Sequence, residues 1–114
     1  MKAISMFGLL AFAATYSMTA QAQAHYEGSH ARDIDITYKV GEHNSVVGEV
    51  TNNTQNAVYI AADFKGYTAD GHVSQGGAVV IFDHLEPGES ARFKGGGFSE
   101  TITTAKLVML RTVP

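Results

Sequence analysis

The residues best suited to chemistry in this chain are its five histidines, and two of them, His25 and His30, stand close together in the segment HYEGSHAR. Imidazole binds copper, nickel and zinc and changes charge near neutrality. The run AQAQA just before His25 adds interest, because a signal peptidase needs small side chains at the third-last and last positions before its cut. Ala20-Gln21-Ala22 and Ala22-Gln23-Ala24 both satisfy that need, so cleavage falls before Gln23 or before His25. In the second register the α-amine and imidazole of His25 chelate Cu(II), and His30 is available to complete a brace-like site. In the first register His25 is the third residue. Amine, two deprotonated amides and imidazole then form the square-planar set that Cu(II) and Ni(II) favour. The competing reading is a polar tail that carries histidine incidentally. Met109 is the single Met after the leader, which excludes a Met-rich Cu(I) site.

The remaining histidines fall at turns: His43 in Gly41-Glu42-His43-Asn44, His72 after Ala69-Asp70-Gly71, and His84 beside Asp83. Ser90, His84 and Asp83 supply the residue types of a hydrolase triad, but no G-x-S-x-G elbow or other ordering motif accompanies them. Gly95-Gly96-Gly97 lacks the Lys-Ser/Thr of a phosphate loop and reads as a hairpin or bulge. Asn52-Asn53-Thr54 has the form of a glycosylation acceptor and reads more simply as a turn. These residues argue against an enzyme.

Composition narrows the classes further. The chain has 114 residues and no Cys, so disulfides, thiolate metal sites and a catalytic Cys are excluded. Residues 1–24 hold 16 hydrophobic residues and one charge, Lys2, in the order of a bacterial secretory leader: basic start, apolar Ala3 to Ala14, small-residue end. The apolar run is shorter than the roughly 20 residues of a spanning helix, so no membrane span is expected after cleavage. The remaining 90 residues carry 7 basic and 11 acidic side chains, a net of −4 that protonation of all five histidines would move to +1. The basic residues are scattered along an acidic chain, which excludes a dedicated nucleic-acid binder.

The elements that must position these side chains are strands. Ile34, Ile36, Tyr38 and Val40 alternate with Asp33, Asp35, Thr37 and Lys39, the period of a half-buried strand. Ser45 to Thr51 and Ala57 to Lys65 follow, the latter with Val58, Ile60, Ala62 and Phe64 on one face. His72 to Gln75 forms a short strand, and the continuous apolar run Ala78 to Phe82 reads as a strand buried on both sides. Glu86-Pro87-Gly88-Glu89 is a turn, Ser90 to Lys94 a strand, and a last pair covers Phe98 to Thr103 and Lys106 to Val113. Residues 25–32 read as a flexible lead-in. Ten Val, five Ile and eight Thr against three Leu after residue 24 favour pleated sheet. Seven or so short strands with frequent turns predict one all-β sandwich or barrel over residues 33–114. Tyr59 and Tyr67 lie on or just beyond the face opposite the Val58–Phe64 row, either beneath a second packed layer or at a partner surface. Lys106 to Arg111 is the candidate exposed edge, with its terminal charges as gatekeepers.

Val47-Gly48-Glu49-Val50-Thr51-Asn52, then Val58, Phe64-Lys65-Gly66-Tyr67, Asp70-Gly71 and Leu85-Glu86-Pro87-Gly88-Glu89 with Phe93, resemble the FxLYD-type domain of bacterial extracytoplasmic proteins. The likeness spans Val46 to Lys94, with Gly66 where that family usually has Leu and Thr68 where it usually has Asp. It implies an immunoglobulin-like antiparallel β-sandwich of about seven strands and carries over no catalytic activity. The expectation is therefore a periplasmic or secreted, non-catalytic binding module without a resident cofactor, whose partner is an envelope or extracellular protein. Two alternatives stand: a copper-binding protein using His25 and His30, and a chaperone or inhibitor that pairs its edge strand with β-rich clients.

Overall fold

A computed structural model describes residues 24–114. The leader lies outside the described residues except for Ala24. Seven strands form: β1 His25–Glu27, β2 Ile34–Gly41, β3 Ser45–Asn52, β4 Val58–Tyr67, β5 Val73–Leu85, β6 Ser90–Gly95 and β7 Thr104–Val113. They make a two-sheet sandwich, with a four-stranded sheet in the order β1-β7-β4-β5 and a three-stranded sheet in the order β2-β3-β6. All pairs are antiparallel except β1 with β7, which is parallel. Among the described residues no helix is long and apolar enough to cross a membrane.

Alternation in the sequence becomes the core. Ile34, Ile36, Val46, Val50 and Phe93 from the three-stranded sheet meet Val58, Ile60, Ala62, Phe64, Leu107 and Leu110 from the four-stranded one. Aromatic rings bridge the layers. Phe64 stacks on Phe93 at 5.6 Å and takes the edge of Tyr38 at 4.9 Å, inside the range where such pairs attract. The Tyr38 hydroxyl also accepts the Leu107 N–H at 2.8 Å, where β7 is irregular opposite Asp63 and Phe64. Burial pushes the Tyr38 phenol up, and the nearby Tyr26 adds to the rise against the opposing effect of the Leu107 N–H.

Two inward glycines make room for close contacts. A side chain at Gly48 would meet the Thr37 carbonyl and the Phe93 ring, and one at Gly66 would meet Phe98 and Ile102. Gly66 therefore stands in place of a larger residue because Phe98 and Ile102 fill that volume. At the end of the sandwich Asn52 is fully buried. Its amide donates to the carbonyls of Asn56 and Leu85, and its oxygen accepts the Thr54 N–H and hydroxyl. Burying an amide is tolerable only with its partners supplied, and this geometry leaves Asn52 no free surface for glycosylation.

Several sequence expectations change. Residues 25–32 are docked rather than a loose lead-in: His25–Glu27 adds to β7, and Ala31–Asp33 forms a 3-10 turn with Ala31 buried. Phe98 to Thr103 is not a strand. Phe98 and Ile102 anchor it as an irregular segment, and Asn44 holds it through its amide to the Phe98 and Glu100 carbonyls and through its oxygen to the Ile102 N–H. The two expected strands His72–Gln75 and Ala78–Phe82 merge into one, β5, which begins at Val73.

Candidate functional site

The site is defined by what lies on the outside of each sheet. On the three-stranded sheet the register produces outward rows of Lys39–Val47–Lys94, Thr37–Glu49–Arg92 and Asp35–Thr51–Ser90. Each carries charge or hydroxyls, as a wetted face should. Around Gly48 a shallow groove of about 390 Å³ is lined by Thr37, Lys39 and Glu49 together with Tyr38 and Phe93.

The four-stranded sheet differs. On β4 the inward residues are Val58, Ile60, Ala62, Phe64 and Gly66, so Tyr59, Ala61, Asp63 and Tyr67 face outward. Their cross-strand partners give outward rows of Val79–Asp63–Met109–His25 and Ile81–Ala61–Arg111–Glu27, with Tyr59 beside Val113 and Tyr67 between Val73 and Thr104. The exposed large hydrophobics Val73, Val79, Ile81 and Val113 all belong to this face. Among the described residues no second layer covers it, so Tyr59 and Tyr67 are half-buried surface residues rather than part of another core.

Strand order also alters the edge. Lys106 to Arg111 lies in β7 and pairs along one side with β4; on its other side β1 covers Met109 to Arg111, so only that half of the expected edge is interior to the sheet. The long terminal strand is β5. Its first part is closed by the segment after β6: the Ser99 N–H donates to the Gln75 carbonyl at 2.9 Å, and the Glu100 N–H to the Ser74 hydroxyl at 3.0 Å. Beyond Gly77 runs Ala78-Val79-Val80-Ile81-Phe82, with Val79 59% and Ile81 55% exposed. Far from being buried on both sides, this run has one face in the core and one in solvent. Asp83 and His84 then end it. The register slips between Val58 and Ile60, and His84 takes a positive φ of 62°, as at a β-bulge.

The histidines separate by role. His43 and His84 hold left-handed backbone, a conformation that histidine adopts more readily than most residues. His72 lies 3.2 Å from Asp70, whose carboxyl is held below its usual range by hydrogen bonds from Thr68 and His72. His84 pairs with Glu86 at 3.4 Å, whereas Ser90 hydrogen-bonds Thr51, so Ser90, His84 and Asp83 are not assembled as a triad. His30 caps the 3-10 turn, and His25 points outward from β1 with Glu27 at 3.5 Å. The contact of His25 is thus to Glu27, not to His30. Among the described residues no three of His, Asp and Glu converge on a point where a metal would sit.

Fold and site together define a seven-stranded β-sandwich with one charged outer face and one apolar outer face that ends in an open strand edge. No family model, curated protein or solved structure matches this chain.

Proposed function

We propose that this chain is an exported, non-catalytic interaction module that binds an extended segment of an envelope or extracellular protein by strand addition to the free edge of β5. The observation that carries the reading is the uncharged stretch Ala78 to Phe82 on a terminal strand, with Val79 and Ile81 exposed two residues apart. Proteins usually blunt such edges with lysine, proline, bulges or a covering loop. Here the segment around Gly95–Gly97 lies close against β5 as far as Ala78 and a bulge begins at His84, leaving Val79 to Phe82 as the run between them. An incoming strand would pair with the β5 backbone and place alternate apolar residues beside Val79 and Ile81. Backbone pairing is tolerant of sequence, which suits a segment of a β-rich client as well as a dedicated partner. The secretory leader supports a periplasmic or secreted location. The likeness of Val46 to Lys94 to FxLYD-type domains fits a binding module.

The test compares the wild-type chain with Val79→Lys/Ile81→Lys and with Val47→Lys on the opposite sheet. Envelope extract is passed over each, and amide exchange is measured in the captured complex. We expect the double variant to lose roughly tenfold or more in affinity, since a lysine must be desolvated in the new sheet. Val47→Lys should bind as wild type, and amides from Val79 to Asp83 should gain protection in the complex. Capture that ignores the β5 charges overturns the reading. So does sedimentation showing that wild type pairs with itself through this edge while the double variant is monomeric.

A further inference from the structure

The short strand β1 has a consequence separate from the β5 edge. Its parallel register puts His25 directly opposite Met109, with Tyr26 opposite Leu110 and Glu27 opposite Arg111. Paired residues of neighbouring strands project from the same side with backbones about 4.8 Å apart. Leu110 is fully buried, so Met109 and His25 both project outward. The His25 imidazole and the Met109 thioether are therefore side-by-side donors on an open surface, contributed by opposite ends of the domain.

Their surroundings form a connected set. His25 Nε2 lies 3.5 Å from one Glu27 oxygen, and the other oxygen lies 3.7 Å from Arg111 Nε. Arg111 Nη2 donates to Met109 Sδ at 3.9 Å. A carboxylate against one ring nitrogen is the arrangement that orients a metal-binding histidine and leaves the other nitrogen to the metal. Here that leaves Nδ1.

We propose that His25 and Met109 form a Cu(I) site, with His25 Nδ1 and Met109 Sδ as ligands and Glu27 as the positioning residue for the imidazole. A thioether is a soft ligand that selects Cu(I), and imidazole accepts copper readily. Hard cations need several oxygens and structural zinc needs four ligands. Arg111 is the built-in competitor. Its guanidinium occupies both the thioether and Glu27, and it must swing aside for the ion to enter. Where the leader is removed before His25, the new α-amine sits on the same residue and becomes a third donor. The proposed ligand set does not draw on His30.

The experiment titrates the leader-free chain anaerobically with Cu(I) against a chromogenic Cu(I) chelator. X-ray absorption reports the ligands, and thermal unfolding of every variant confirms an intact fold. We expect one Cu(I) per chain and a copper–sulfur signal. His25→Ala and Met109→Leu should each weaken binding by roughly a hundredfold or more, and Glu27→Gln by about tenfold. Arg111→Gln should bind more tightly than wild type, because it frees the thioether and removes a positive charge. Undiminished affinity in folded Met109→Leu, or an absorption spectrum without sulfur, would overturn the site and leave a simple histidine chelate. No Cu(I) uptake in competition would overturn it outright. Strand addition at β5 should survive Met109→Leu whichever way the titration falls.

Discussion

The two outer faces of this sandwich meet the same solvent with opposite chemistry. Across β2, β3 and β6 every outward row carries a charged or hydroxyl side chain, and Val47 sits between Lys39 and Lys94. Across β7, β4 and β5 the outward rows place Val79, Ile81, Ala61, Val113 and Tyr59 around Asp63 and Arg111. Single exposed hydrophobics are ordinary, and adjoining ones on one face are the feature on which the proposed strand addition rests. The inner faces, by contrast, follow one rule on both sheets. A core explains the inner alternation and water explains the polar outer face. The apolar outer face and its open edge are explained by neither.

The largest effect separates the two inner faces. Gly48→Val would drive a side chain against the Thr37 carbonyl, which the β2–β3 ladder holds in place. We expect a loss of about 4 kcal/mol or more, enough to unfold much of a small domain. Gly66→Val meets the Ile102 and Phe98 side chains of an irregular segment that can give way, so about 2 kcal/mol is expected. Urea unfolding of both variants checks the ranking.

Next come the seams between the sheets. Asn52→Ala removes the side-chain donor to the Leu85 carbonyl and the acceptor of the Thr54 N–H, while the Asn56 carbonyl keeps the Thr54 hydroxyl, at about 3 kcal/mol. Tyr38→Phe leaves the Leu107 N–H without its acceptor and should cost about 1–2 kcal/mol by the same measure. It should also alter the alkaline limb. The Tyr38 pKa is raised in the folded state, so the unfolded chain releases that proton first. Wild-type stability attributable to Tyr38 is thus complete below pH 10 or so and declines as pH rises through the folded pKa. Denaturation midpoints between neutral pH and pH 11 should fall less steeply for Tyr38→Phe.

Much of this was readable from residue order. The alternation in Ile34–Val40 and Val58–Phe64 became the core rows, and Glu86-Pro87-Gly88-Glu89 became a turn with Gly88 at φ 83° and a Glu89 N–H to Glu86 carbonyl bond. What could not be read was strand order. An uncharged run such as Ala78–Phe82 fits a central strand and an open edge equally, because both leave it apolar, and only long-range pairing decides between them. The same limit hid that β1 covers the Met109–Arg111 half of the expected edge and that β5 is a terminal strand. It also hid the pairing of His25 with Met109, since β1 is three polar-flanked residues that become a strand only against β7. Asn52 looked like a loop residue because its burial depends on carbonyls supplied by Asn56 and Leu85.

The smallest effect tests whether the apolar outer face is surplus to folding. Glu49→Lys sets a lysine opposite Arg92 and beside the row of Lys39 and Lys94, and like charges across strands repel. A loss of about 0.5–1 kcal/mol is expected in dilute buffer, vanishing in molar salt because exposed charges are screened. Ile81→Lys lies opposite Ala61, which carries no charge. It should change stability by less than about 0.5 kcal/mol with no salt dependence, as for a surface position outside the core. Thermal melts at two salt concentrations distinguish the pair. A salt-independent loss above about 1 kcal/mol for Ile81→Lys would mean that Ile81 supports the fold itself. The exposed isoleucine would then need no partner, and the difference between the two faces would lose its functional meaning.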